Sequence, residues 1–235
     1  MRQVARDVRN AVIAAARRAM KILTEPIVQI IAPTDDAAKD QVRVCAWAAR
    51  QCYQSLPKGS DDTENVIKML IANKHDAMLE HGSFTAHITC DRGITHELVR
   101  HRLFSFAQES TRYCNYSKDK FGNEITVMLP QGLIGTGEAY DAWEAAMRTA
   151  EASYMKMISK GISSGTARAV LPTCLVARIV ITGNFREWRH FFKIRALGEA
   201  GQPHPQMKQI ATMLLKEAKS TFPYIFDDLE VKDGS

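Results

Sequence analysis

Apolar positions along this chain switch between two spacings, and the switches mark its elements. Over residues 35–53 they recur every three or four positions, with Ala46 to Ala49 offering a close-packing face, which predicts a helix. Residues 83–90 alternate instead. Phe84, Ala86, Ile88 and Cys90 face one way and Thr85, His87 and Thr89 the other, the pattern of a half-buried strand. Apolar, β-branched runs predict further strands at 27–32, at 125–129 just before Pro130, and at 174–182, where Arg178 interrupts one face. Helices are predicted over 63–73 (capped by Asp61 or Asp62), 94–102, 138–160 and 163–170, with a last one from about Pro205 to Thr221. Residues 57–62 and the glycines at 132, 135 and 137 read as loops.

Gly183 is expected to turn the chain from the strand at 174–182 into another helix. Asn184 at its N-cap, with Glu187 three residues later, is close to a capping box. On this helix Phe185, Trp188, Phe192 and Arg195 share a side, while Arg186, Arg189 and Lys193 occupy another. At the other end of the chain, 2–24 reads as a basic amphipathic helix. Arg-rich organellar presequences look similar, but Asp7 and the lack of serine favour an added helix packed on the body or a neighbour. The organisation expected is therefore a basic N-terminal helical extension at 1–25 and a domain at 26–228. Strands do not alternate strictly with helices, so the class is α+β: a small mixed or antiparallel sheet surrounded by long helices. No GxGxxG follows a strand, which argues against an ordinary dinucleotide fingerprint.

Composition narrows the picture only slightly. The 235 residues, 46% hydrophobic and 24% charged, suit one domain or one domain with an appendage. A formal net charge of +5 favours anionic partners, leaving nucleotides, nucleic acid and acidic membranes open. No apolar run approaches a membrane span. The five cysteines (Cys45, Cys52, Cys90, Cys114, Cys174) are odd in number, with no CxxC and no metal-like spacing. They fit packing in a reducing, cytoplasmic compartment, and Cys114 reads as a small buried residue rather than a nucleophile.

Candidate chemistry concentrates at 100–112. Arg100, His101, Arg102 and Arg112 surround Ser105, Gln108, Glu109 and Ser110. Arginine keeps its charge and offers a planar fork that matches phosphate or carboxylate oxygens. His101, between two arginines, is expected to resist protonation. From charge alone, a solvated basic helix end remains the alternative. The interleaved hydroxyls and apolar residues point instead to a multiply anionic ligand.

Arg100-His101-Arg102, seven residues and then Ser110 resembles the signature of the flavin-dependent thymidylate synthases. His75 to His81 is similar to that family's upstream histidine loop. Arg168 to Pro172, then Asn184, Arg186, His190 and Arg195, then His204 to Gln206, resemble its downstream blocks in order. The resemblance spans about 26–226. It implies reductive methylation of deoxyuridylate (dUMP) to thymidylate (dTMP), with FAD as cofactor and NADPH and methylenetetrahydrofolate as co-substrates. It further implies a cytoplasmic homotetramer acting on small molecules, without nucleic acid, membrane or metal.

Carried over residue by residue, the resemblance implies FAD contacts at His75, Arg100, His101, Arg102, Gln108, Asn184, Arg186 and His190. It implies dUMP contacts at Glu97, Arg100, Gln108, Glu109, Ser110, Thr111, Arg112, Arg168 and Arg195. Arg195 is the residue implied for chemistry, a cation beside the pyrimidine, with Trp188 and Phe192 expected to give it a dry wall. Three positions depart from the family pattern. Some members have an acid at Gln108 and asparagine at His190, and a hydroxyl is often found where Ala77 stands.

Overall fold

The computed structural model describes residues 20–52, 54–55 and 62–231, which fall into two compact units. One, the sheet unit, is drawn from the described residues of 26–108 and 177–231; the other, the helical unit, from 20–25 and 109–176.

The sheet unit is built on a four-stranded sheet. Its strands are β2 (Ile27–Ala32), β3 (Ser83–Asp91), β4 (Ser105–Gln108) and β6 (Val176–Asn184), in the order β2-β3-β6-β4. Pairing is antiparallel between β2 and β3, and between β4 and β6 from Ser105↔Thr182 to Gln108↔Ile179. The alternation in β3 is observed as far as Ile88: Phe84, Ala86, Ile88 and Cys90 are buried, and Thr89 on the other face is buried as well. Helix α1 (Asp35–Gln51) buries Ala38, Val42, Cys45, Ala46 and Ala49, one stripe at helical spacing. Helix α2 (Thr63–Ala72) follows, then the short α3 (Arg92–Leu98). Helices α6 (Phe185–Arg195) and α7 (Pro205–Thr221) complete the unit. Ile30 N donates to Glu217 Oε1 at 2.8 Å, tying β2 to α7. At the centre Trp188 of α6 stacks on Phe84 of β3, centroids 4.3 Å apart.

The helical unit pairs β1 (Lys21–Leu23) with β5 (Thr126–Met128) in parallel, beside the long α4 (Glu138–Ser159) and the single-turn α5 (Ser164–Ala167). Tyr116, Ile125, Val127, Tyr154 and Leu175 form its core. Glu151 Oε1 accepts from Ile125 N at 2.8 Å and so anchors the entry to β5 on α4.

Several expectations need correcting. The N-terminal helix expected over 2–24 lies mostly outside the described residues, and Lys21–Leu23 at its end is a strand. The helix expected over 94–102 stops at Leu98, so Arg100, His101 and Arg102 lie in the turn beyond it. Gly183 does not turn the chain. It lies inside β6, where a Cβ would overlap the Phe104 ring, so glycine serves close approach rather than bending. Asp62 makes no side-chain cap on α2 and pairs with Arg50 instead. Strand β4 was not foreseen. Trp188 and Phe192 are core residues, fully buried, rather than the wall of a site.

Candidate active site

Asp91 starts the local architecture. Its Oδ1 caps α3 by accepting from Ile94 N at 2.7 Å, while its Oδ2 accepts from Gln206 Nε2 of α7 at 3.1 Å. The short helix ends in a tight turn, with His101 N donating to Leu98 O and Phe104 N to His101 O. That turn splays the three basic residues: Arg100 and Arg102 are exposed, whereas His101 is turned inward and buried. Gln108 on β4 fastens the far end of the segment, donating from Nε2 to Thr95 Oγ1 of α3 at 2.9 Å.

Helix α6 supplies the opposite side. Asn184 Oδ1 accepts from Glu187 N at 2.9 Å, the cap foreseen from the sequence. Arg186 is exposed and pairs with Glu80 at 2.6 Å. Arg189, by contrast, is buried; its fork donates to both oxygens of Asp228 at 2.7 Å, and to Ile225 O. This arginine is committed to the fold and holds the C-terminal segment against α6.

Between the two sides lies a cavity of about 890 Å³. Arg100, Arg102, Arg186 and Lys193 bring positive charge to it, Asn184 and His190 add polar groups, and Asp76, Glu80 and Glu187 are its acids. Arg195 also lines it, donating from Nη1 to Glu97 Oε2 at 3.0 Å and from Nε to His101 Nε2 at 3.1 Å. The His101 ring packs against the edge of Phe191, 5.1 Å between centroids. Burial, then the charges of Arg195 and His190, hold the His101 pKa down to about 4. The expected resistance to protonation is present, but its cause is burial and Arg195 rather than the flanking Arg100 and Arg102.

The sequence-derived candidates therefore divide. Arg100, His101, Arg102, Asn184, Arg186, His190 and Arg195 line one cavity, with Glu97 bound to Arg195. His75 lines a second, more apolar cavity of about 610 Å³, with Met69, Leu70 and Met78. Glu109, Ser110, Thr111, Arg112 and Arg168 belong to the helical unit. There Glu109 Oε1 accepts from Tyr116 Oη at 3.0 Å, and Ser110 Oγ accepts from Arg112 N at 3.3 Å. Ser164 Oγ donates to Arg112 O at 2.8 Å, joining that segment to the helix that leads into Arg168. Sequence reasoning missed Glu187 as a site residue, because its capping position already explained it. It also missed Arg189–Asp228 and Phe191.

A family model described as thymidylate synthase complementing protein matches residues 35–224. The chain belongs to this family. Among relatives named flavin-dependent thymidylate synthase, the protein from Corynebacterium aurimucosum is 33% identical over 210 residues, covering 84% of this chain and 83% of the relative. That of Mycobacterium bovis is 32% identical over 238 residues, covering 88% and 92%. That of Pyrococcus abyssi is 32% identical over 179 residues, covering 73% and 71%. Among solved structures, the UMP/dUMP methylase PolB from Streptomyces cacaoi, bound with 5-Br dUMP, superposes with a TM-score of 0.72 at 21% identity. It covers 88% of this chain and 96% of its own, a likeness of fold. No helix among the described residues is long and apolar enough to cross a membrane.

Proposed function

We propose that this protein is a flavin-dependent thymidylate synthase that converts dUMP to dTMP. In this reading FAD is the cofactor, methylenetetrahydrofolate the carbon donor and NADPH the reductant. The observation that carries it is the clustering of Arg100, His101, Arg102, Asn184, Arg186, His190 and Arg195 around one cavity, in a chain whose family is established. The donor set fits a dinucleotide. Each phosphate of a pyrophosphate carries about one negative charge at neutral pH, and with no glycine-rich loop, arginine forks must bind them. Arg100, Arg102 and Arg186 are exposed on the cavity and suited to that task. When bound, the flavin supplies the hydride chemistry that no side chain here can perform.

The remaining work falls to the protein. Arg195, held by Glu97 and His101, places a permanent cation where a pyrimidine would develop negative charge, and that stabilisation is strongest where water is excluded. Contacts to dUMP are proposed for Glu97, Arg100, Gln108 and Arg195, and for Glu109, Ser110, Thr111, Arg112 and Arg168. Gln108 spends one Nε2 N–H on Thr95, so its carbonyl oxygen and second N–H are the groups it offers. His75 is proposed as an FAD contact reached from the second cavity.

The test is spectroscopic. Purified protein supplied with FAD should show a flavin spectrum that bleaches with NADPH in the absence of oxygen. It should recover when dUMP and methylenetetrahydrofolate are added, with dTMP formed. A protein that takes up no flavin, or forms no dTMP under these conditions, would overturn the proposal.

A further inference from the structure

Four side chains run in series beside the cavity: Glu97 pairs with Arg195, Arg195 with His101, and His101 faces Glu187. An arginine Nε always carries hydrogen, so the Nε–His101 Nε2 contact of 3.1 Å requires Nε2 to be the bare nitrogen. A neutral imidazole has one ring proton, which must then sit on Nδ1. That atom faces Glu187 Oε1 at 4.0 Å, and both side chains are less than a tenth exposed. The separation is too long for a direct hydrogen bond. It is short enough, in a poorly screened interior, for a carboxylate to favour an N–H over a lone pair on the facing atom. The ring is confined by Phe191 and Phe104, and the first turn that carries Glu187 is fixed by the Asn184 cap. Arg186 and His190 are the other charged or titratable groups acting on Glu187, and Arg195 and His190 those acting on His101.

We propose that Glu187 is a positioning residue: its carboxylate holds His101 in the Nδ1–H form, which keeps Nε2 available to seat Arg195. Without it, the Arg195 N–H alone selects the ring form, and the Nε2–H form becomes accessible whenever that contact opens. Two N–H groups would then oppose each other and the guanidinium would lose one of its two anchors. The inference rests on the reading of Arg195 as the cation beside the pyrimidine. It adds a residue whose role lies in the orientation of another.

The test reads the tautomer directly. In the flavin-loaded enzyme labelled with nitrogen-15 histidine, long-range proton–nitrogen spectra should show His101 as Nδ1–H, the signal being assigned by its loss in His101→Gln. Glu187→Gln keeps an acceptor of the same shape and should preserve that tautomer. Glu187→Met, similar in volume but without an acceptor, should shift it toward Nε2–H. The same variant should slow dUMP-dependent flavin reoxidation by about tenfold or more, a larger factor than any slowing of flavin reduction by NADPH. Glu187→Ala provides the same readouts should methionine disturb the packing. An unchanged Nδ1–H tautomer in the variants lacking an acceptor would overturn the proposal, as would a changed tautomer with an unchanged dUMP half-reaction. Wild-type protein that shows the tautomer but never forms dTMP would instead defeat the proposed function and, with it, the catalytic purpose assigned to Glu187.

Discussion

Arg195 spends two of its three nitrogens on two different acceptors, Glu97 and His101, and lysine has no geometry that reproduces this. Arg195→Lys should therefore keep the charge yet lower dUMP-dependent flavin oxidation by roughly two orders of magnitude, equivalent to about 2.7 kcal/mol. Flavin reduction by NADPH should change far less, and stopped-flow measurement of the two half-reactions separates these outcomes. His101 makes a second prediction. Its pKa is about 4 in the folded protein against an ordinary 6.5, so the unfolded chain binds a proton that the folded one refuses. The contribution is most favourable above about pH 6.5 and is lost as pH falls toward about 4, a change on the order of 3 kcal/mol. Urea unfolding at several pH values should show that loss in the wild type and a flatter dependence in His101→Gln. At this scale the sequence singled residues out by motif and was silent about their partners. Arg100 to Arg102, Asn184, Arg186 and Arg195 carry visible motifs, whereas Glu187 sits at a position where capping alone accounts for a glutamate.

Among the elements, β4 and the turn before it matter most, since they carry the basic residues from α3 into the sheet. Gly183 on β6 leaves room for the Phe104 ring, which packs against Trp188 at 4.5 Å between centroids. Gly183→Ala should force that ring aside and destabilise the fold by about 1–3 kcal/mol, the usual cost of overpacking. Because Phe104 N donates to His101 O, flavin affinity should fall as well. Thermal unfolding with a flavin-binding titration checks both, and unchanged values would place Phe104 outside the support of the site. The sequence made the long elements plain because their apolar stripes are strong: α1, α4, α7 and β3 appear where the spacing predicts them. It overextended α3 because a cationic run just past a helix satisfies the helix dipole as well as one inside it. It passed over β4 because four residues carry too little alternation, and their partner strand lies some seventy positions away.

For the whole molecule, the homotetramer that the family resemblance implies gives a direct expectation: light scattering should return four times the 26.3 kDa chain mass. Exposed apolar side chains such as Trp47, 59% exposed, and Leu103, 79% exposed, are available to be covered by other copies. A fully active monomer at micromolar concentration would rule this out. The assignment of residues to the two units was not legible from the chain, because the first unit takes its strands from both sides of the second. Only long-range pairings such as β4 with β6 and β1 with β5 reveal it.

Arg189 carries one more consequence. It lines the cavity that the basic residues share, yet its charge is balanced by Asp228, whose own carboxyl the arginine holds below the usual range. Asp228 is thus a throttle on the cavity's potential. Removing its charge would release a buried guanidinium to attract phosphate while loosening the C-terminal segment that braces α6. Affinity for anions and resistance to unfolding are set against each other through a single carboxylate, so selection for either would act on the same residue in opposite directions.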